Sequence, residues 1–171
     1  MKGFNMFAAL VLAAVFVGFT CHAQSNKAAH AGHAEHVMVS PDEMTWGDVP
    51  PALPAGAKIT VLQGDPFKAQ PYTLRLKLPA NYKIPAHSHP TEENVSVISG
   101  TFIMGFGDKL DVAKGHSVPA GGFSIMPAKQ NHYAWTTEET VVQVHGQGPF
   151  AITYVDAKDD PRNNTSVSST K

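Results

Sequence analysis

Tyr72–Leu78 reads YTLRLKL, an unbroken alternation. Leu74, Leu76 and Leu78 share one face, and Thr73, Arg75 and Lys77 the other. A two-residue period is that of a strand buried on one side, and no helix fits it. Beyond the first stretch of the chain, no segment holds a 3.6-residue apolar period for about ten residues. Short apolar or β-branched runs appear instead: Lys58–Gln63, Ile84–His89, Asn94–Ser99, Thr101–Phe106, Gly122–Met126, Tyr133–Thr137, Thr140–His145 and Phe150–Val155. Gly64-Asp65-Pro66, Pro79-Ala80-Asn81, Pro90, Gly100 and Pro127 punctuate them. Strands this short with turn signals this dense predict an all-β sandwich or barrel. Asn94–Ser99 and Thr101–Phe106 are expected to form a hairpin across Gly100, and Lys109–Ala120 a polar loop.

The 171 residues, 43% of them hydrophobic, supply enough apolar mass for one domain. A formal net charge of -1 gives no reason to expect nucleic acid or an anionic membrane as a partner. The start is expected to lie outside the fold. Lys2 precedes an apolar run, Met6–Thr20, and Cys21-His22-Ala23 offers small residues at the -3 and -1 positions. That is the pattern of a cleaved secretory signal peptide, with the cut after Ala23, and the run is shorter than the roughly 20 residues of a membrane span. Cleavage would remove Cys21, the single cysteine, and leave no thiol as ligand or nucleophile. The expected organisation is a signal peptide over 1–23, a flexible His-containing leader over 24–45, a barrel over 46–156 and a disordered tail over 157–171. The expected location is periplasmic or secreted, with no membrane attachment after cleavage.

The residues with chemistry to offer begin at His87-Ser88-His89-Pro90-Thr91-Glu92-Glu93. Alternation puts His87 and His89 on one face of an extended segment. The turn at Pro90-Thr91 then brings the next strand back beside them. Glu93 is the better of the two acids, because it shares a face with Val95 and Val97, whereas Glu92 shares one with Asn94 and Ser96. His132 follows Pro127, with Tyr133 and Trp135 on the opposite face. Three imidazoles and a carboxylate suit a borderline divalent transition metal. His145 is expected to point inward as a general base or as a donor behind the ligands, with Gln143 on the same face. A structural role for His145 at a strand end stands equally open. His116 reads as a surface loop residue. His30, His33 and His36 form a His-x-x-His-x-x-His tract, either a loose metal site or incidental histidines in a solvated leader.

These spacings resemble the cupins. Their first motif is Gly, five residues, His-x-His, three or four residues, Glu, six residues, Gly. Here it runs from Asn81 through His87, His89 and Glu93 to Gly100, with Asn81 in place of the first glycine. Their second motif is Gly, five residues, Pro-x-Gly, two residues, His, three residues, Asn. It runs Gly121, Pro127, Lys129, His132, Thr136, with Lys129 and Thr136 as departures. The resemblance covers about residues 58–155. It implies a cupin-type double-stranded β-helix, a jelly-roll barrel. It also implies one divalent transition metal (Fe, Mn, Zn, Ni, Co or Cu) on His87, His89, Glu93 and His132. A metal-dependent enzyme of dioxygenase, isomerase or related type is then expected, acting on a small organic molecule. A non-catalytic module that binds or senses a metal or small ligand is the alternative, and a metal-free barrel that dimerises through its sheet faces is the third reading. A second copy of the chain is thus an open partner.

Overall fold

The computed structural model describes residues 36–163. The expected signal peptide, most of the leader with His30 and His33, and residues 164–171 lie outside the described residues. His36 is exposed.

Two antiparallel sheets make up the domain. The first orders its strands β1 (Gly47–Asp48), β2 (Lys58–Gln63), β3 (Pro71–Leu78), β10 (Thr140–Gln147), β5 (Glu93–Ser99) and β8 (Phe123–Met126). The second orders β11 (Thr153–Tyr154), β4 (Lys83–Ser88), β9 (His132–Trp135), β6 (Thr101–Phe106) and β7 (His116–Pro119). From β3 onward the chain changes sheet at every connection except β6–β7. This is the path of a jelly-roll barrel, as expected.

The alternation of β3 places Leu74, Leu76 and Leu78 inside. Val142 and Val144 of β10 join them, as do Val95 and Val97 of β5. Ile84, Phe102, Met104 and Ala134 close the core from the second sheet. A smaller cluster covers the back of that sheet. There Ala86, Tyr133 and Trp135 pack with Ile103 and with Leu110 from the β6–β7 connection. Tyr133 donates its hydroxyl to Asp111 O at 3.2 Å, which ties that connection down.

Three expectations about local structure need correction. Asn94–Ser99 and Thr101–Phe106 do not form a hairpin, because β5 and β6 belong to different sheets. Gly100, at φ +72°, turns the chain from one sheet to the other. A Cβ there would stand 2.5 Å from Glu139 O, so the corner admits only glycine. Lys109–Ala120 is not all loop: His116–Pro119 pairs with β6 as an edge strand. Its HSVP sequence buries little, which is why no apolar alternation announces it. Residues 157–163 are not a disordered tail. They form a turn in which Arg162 binds Asp160 and donates to Ile152 O at 3.1 Å.

Leu74 is fully buried at the centre of the barrel. Leu74→Ala is expected to lower unfolding free energy by about 2–5 kcal/mol. Ser96→Ala, on the outer side of β5, is expected to change it by less than about 0.5 kcal/mol. Urea unfolding of both variants checks the assignment of faces.

Candidate metal centre

A β-bulge sets the positions of two histidines. Ile84 pairs with Ala134 and His87 with His132, so Pro85 and Ala86 together oppose Tyr133. The extra residue resets the alternation, and Ile84 and His87, three apart, both face inward. Proline is tolerated at a bulge because no ladder bond is required of it. His87 and His132 are consequently cross-strand partners in the second sheet, with ring centroids 4.3 Å apart. His89 lies in the connection between β4 and β5. Glu93 opens β5 in the first sheet. The four residues therefore gather where the chain crosses between sheets.

All four are buried: His87 and His89 are each 4% exposed, Glu93 8% and His132 2%. Glu92 is exposed, so alternation chose the right acid. One ring nitrogen from each histidine lies within 4.8 Å of the others. Glu93 Oε2 stands 3.6 Å from His89 Nε2 and 3.7 Å from His132 Nε2. Donors about 2.1 Å from a shared ion sit roughly 3–3.5 Å apart, so the carboxylate stands close to that range from His89 and His132, while the group of donors all within 4.8 Å of one another is the three histidines alone.

The hydrogen bonds behind the rings fix which nitrogen is free. His87 Nδ1 bonds Pro85 O at 2.7 Å, His89 Nδ1 bonds Ala151 O at 2.8 Å and His132 Nδ1 bonds Gln130 O at 2.9 Å. A carbonyl oxygen only accepts, so each Nδ1 carries the proton and each Nε2 keeps a lone pair. His89 Nε2 is buried with no hydrogen-bond partner. Burial lowers the pKa of all three imidazoles, that of His87 well below its ordinary value, with His132 and His89 adding to the effect. Three neutral imidazoles with inward lone pairs and one orphaned acceptor are the donor set that a divalent cation satisfies. The group fits a metal ion.

Two residues where the cupin pattern has glycine hold that glycine's conformation. Asn81 and Lys129 both have φ +63°. A left-handed lysine costs about 1 kcal/mol or more. Its turn serves two ligands: Lys129 N–H donates to His89 O at 2.8 Å, and the adjacent Gln130 carbonyl accepts from His132. Thr136, where the pattern has asparagine, is buried. It donates to Pro79 O at 2.6 Å and accepts from Tyr82 N at 3.1 Å.

The structure does not bring His145 or Gln143 to this group. Thr140, Val142 and Val144 are the inward row of β10, so both residues face outward, and the expectation of an inward His145 is corrected. Gln143 accepts from Arg75 Nε at 3.1 Å, and His145 stands beside Phe123 at 6.5 Å between ring centroids. The alternation of Val142 and Val144 with Gln143 and His145 was itself the available signal. Sequence reasoning missed Phe150 and Ile152, which line the cavity from the approach to β11. That cavity, about 20 Å³, holds the four residues at one end and is otherwise lined by apolar side chains such as Leu76, Phe102, Met104 and Val144.

The model of the ChrR cupin-like domain family matches residues 34–151. No curated protein matches the chain. Three solved structures are similar in fold. The polyketide cyclase RemF from Streptomyces resistomycificus is 17% identical with a TM-score of 0.63, over 78% of this chain and 95% of its own. A candidate acetylacetone dioxygenase from Methylibium petroleiphilum PM1 is 20% identical with a TM-score of 0.57, over 74% and 85%. An RmlC-like cupin from Ralstonia eutropha JMP134 is 18% identical with a TM-score of 0.56, over 74% and 76%.

Burial raises the Glu93 pKa from 4.5 to about 6, with His132 opposing the rise. Between those values the folded metal-free protein binds more protons than the unfolded chain, so stability falls as pH rises through that window and stays lower above it. Glu93→Gln removes the buried charge while keeping its shape. It is expected to stabilise the metal-free protein by about 2 kcal/mol above pH 6 and to have no such effect below pH 4.5. Urea unfolding of metal-free protein between pH 4 and pH 8 measures this, and parallel profiles for the two proteins would count against it.

Proposed function

The chain belongs to the ChrR cupin-like domain family, and from that membership we propose that it is an exported metal-dependent enzyme acting on a small organic molecule. The observation that carries the proposal is the set of three inward Nε2 lone pairs, each fixed by an Nδ1–H bond to a carbonyl. His87, His89 and His132 would hold a divalent transition metal, with Glu93 as the fourth ligand. A metal so bound would supply Lewis acidity or dioxygen activation to a molecule at the site. The apolar walls would keep bulk water from the reacting end. Among the similar structures, the names acetylacetone dioxygenase and polyketide cyclase denote chemistry on small organic substrates, which supports that class.

Export rests on the Met6–Thr20 run and the Cys21-His22-Ala23 cleavage pattern. The mature protein from its native host is expected to begin at Gln24 by mass spectrometry and to come from the periplasm or medium.

One observation favours a non-catalytic metal or ligand module as a second reading. Among the described residues, the ionisable groups lining the cavity are the three histidines and Glu93, with no separate acid or base. A metal-bound protein that binds small organic molecules and turns none over would establish that reading.

Elemental analysis of the native protein is expected to give about one transition metal per chain. His132→Ala is expected to lower metal affinity by at least tenfold and to abolish turnover. Native protein without stoichiometric metal, or His132→Ala with unchanged metal content, would contradict the proposal.

A further inference from the structure

His87 and His132 find their Nδ1 acceptors two residues back along their own segments. His89 does not. Its acceptor, Ala151 O, lies 62 residues away in sequence, on the segment between β10 and β11. The preceding residue, Phe150, stacks on the His89 ring with centroids 4.9 Å apart and planes 21° apart. His87 also meets this strap, as the cross-strand partner of Tyr154 with ring centroids 5.9 Å apart, but only His89 takes its Nδ1 acceptor from it.

We propose that the strap Gly148–Tyr154, acting through Phe150 and the Ala151 carbonyl, is the positioning element for His89, so that metal binding and strap docking are one coupled equilibrium. The proposal rests on the reading of the site as a metal centre.

Outside a short ladder the strap is held by scattered bonds: its Ile152 carbonyl accepts from Arg162 at 3.1 Å and its Tyr154 hydroxyl donates to Ala52 O at 2.9 Å. Gly148 N–H donates to Gln70 O at 2.9 Å, Phe150 N–H to Pro66 O at 2.6 Å and Val155 N–H to Ala86 O at 2.9 Å. Thr153 and Tyr154 add a two-residue ladder on β4, whereas β10 pairs with β3 over eight residues. Short ladders open locally at lower free energy than long ones. When the strap opens, His89 loses both its Nδ1 acceptor and the ring that fixes its plane. The imidazole can then rotate or change tautomer, and the fraction competent to bind an ion falls. Linkage makes the converse necessary: an ion that binds the docked form better lowers the open population by the same factor.

Gly148 gives a handle outside the cavity. A Cβ on it would stand 2.1 Å from Lys68 O, so Gly148→Ala displaces the strap without touching a ligand.

The test uses the full mature protein with Zn(II), and with Co(II) for spectra. Hydrogen exchange at the Gly148, Phe150 and Val155 amides is expected to slow on Zn(II) binding, while the turn amides of Lys114 and Gly122 do not change. Phe150→Leu and Gly148→Ala are expected to weaken Zn(II) affinity roughly 10- to 100-fold and to shift the visible Co(II) spectrum. Phe150→Tyr, which keeps the flat ring, is expected to restore both. Bound Zn(II) with unchanged exchange in the strap overturns the proposal. So does a Phe150→Leu protein with wild-type affinity and Co(II) spectrum. The exchange comparison in wild-type protein decides even where Gly148→Ala does not fold. Wild-type protein that binds no Zn(II) or Co(II) overturns the metal reading itself, and this proposal with it.

Discussion

Burying three imidazoles and a carboxylate at one end of an apolar barrel is the constraint around which this structure is arranged. Each imidazole brings a donor and an acceptor out of water, and an unsatisfied polar group in such surroundings costs a few kcal/mol. The protein satisfies the three donors itself, with carbonyls from a bulge, a turn and a strap. It leaves the acceptors facing one another and Glu93, and gives His89 Nε2 no hydrogen-bond partner. The desolvation that lowers the imidazole pKa values favours their neutral form, which keeps the Nε2 lone pairs free of protons. The left-handed lysine at position 129 is tolerated in the turn that serves both His89 and His132. Backbone strain of this kind is found where a site over-determines the chain.

Much of this was legible in the sequence, and for physical reasons. Alternation along β3 and β5 is enforced by the barrel core, so the same rule that placed Leu74 inside also selected Glu93 over Glu92. The two cupin motifs brought His87, His89 and His132 to one place because their spacing encodes strand and turn lengths. The rule was also available for β10, where Val142 and Val144 alternate with Gln143 and His145. The chemistry of an imidazole argues for an inward His145, and the period of the strand decides against it.

What stayed hidden was non-local. The bulge at Pro85-Ala86 exists only relative to Tyr133 on β9. The switch of sheet at Gly100 depends on Glu139 and Thr140, some forty positions downstream. The role of Phe150 and Ala151 at His89 follows from where the chain returns after β10, which no local pattern announces. These are contacts that tertiary packing decides, and they are the ones that turn three buried histidines into a specific arrangement.

In the proposed site the Nε2 atoms of His87, His89 and His132 share one metal ion with Glu93. Anomalous diffraction from crystals of the native protein, recorded on both sides of the absorption edge of its metal, tests this most directly. A single strong peak is expected within bonding distance of all three Nε2 atoms and a Glu93 carboxylate oxygen. No peak there, or a peak held by other residues such as the His30/His33/His36 tract, would contradict it.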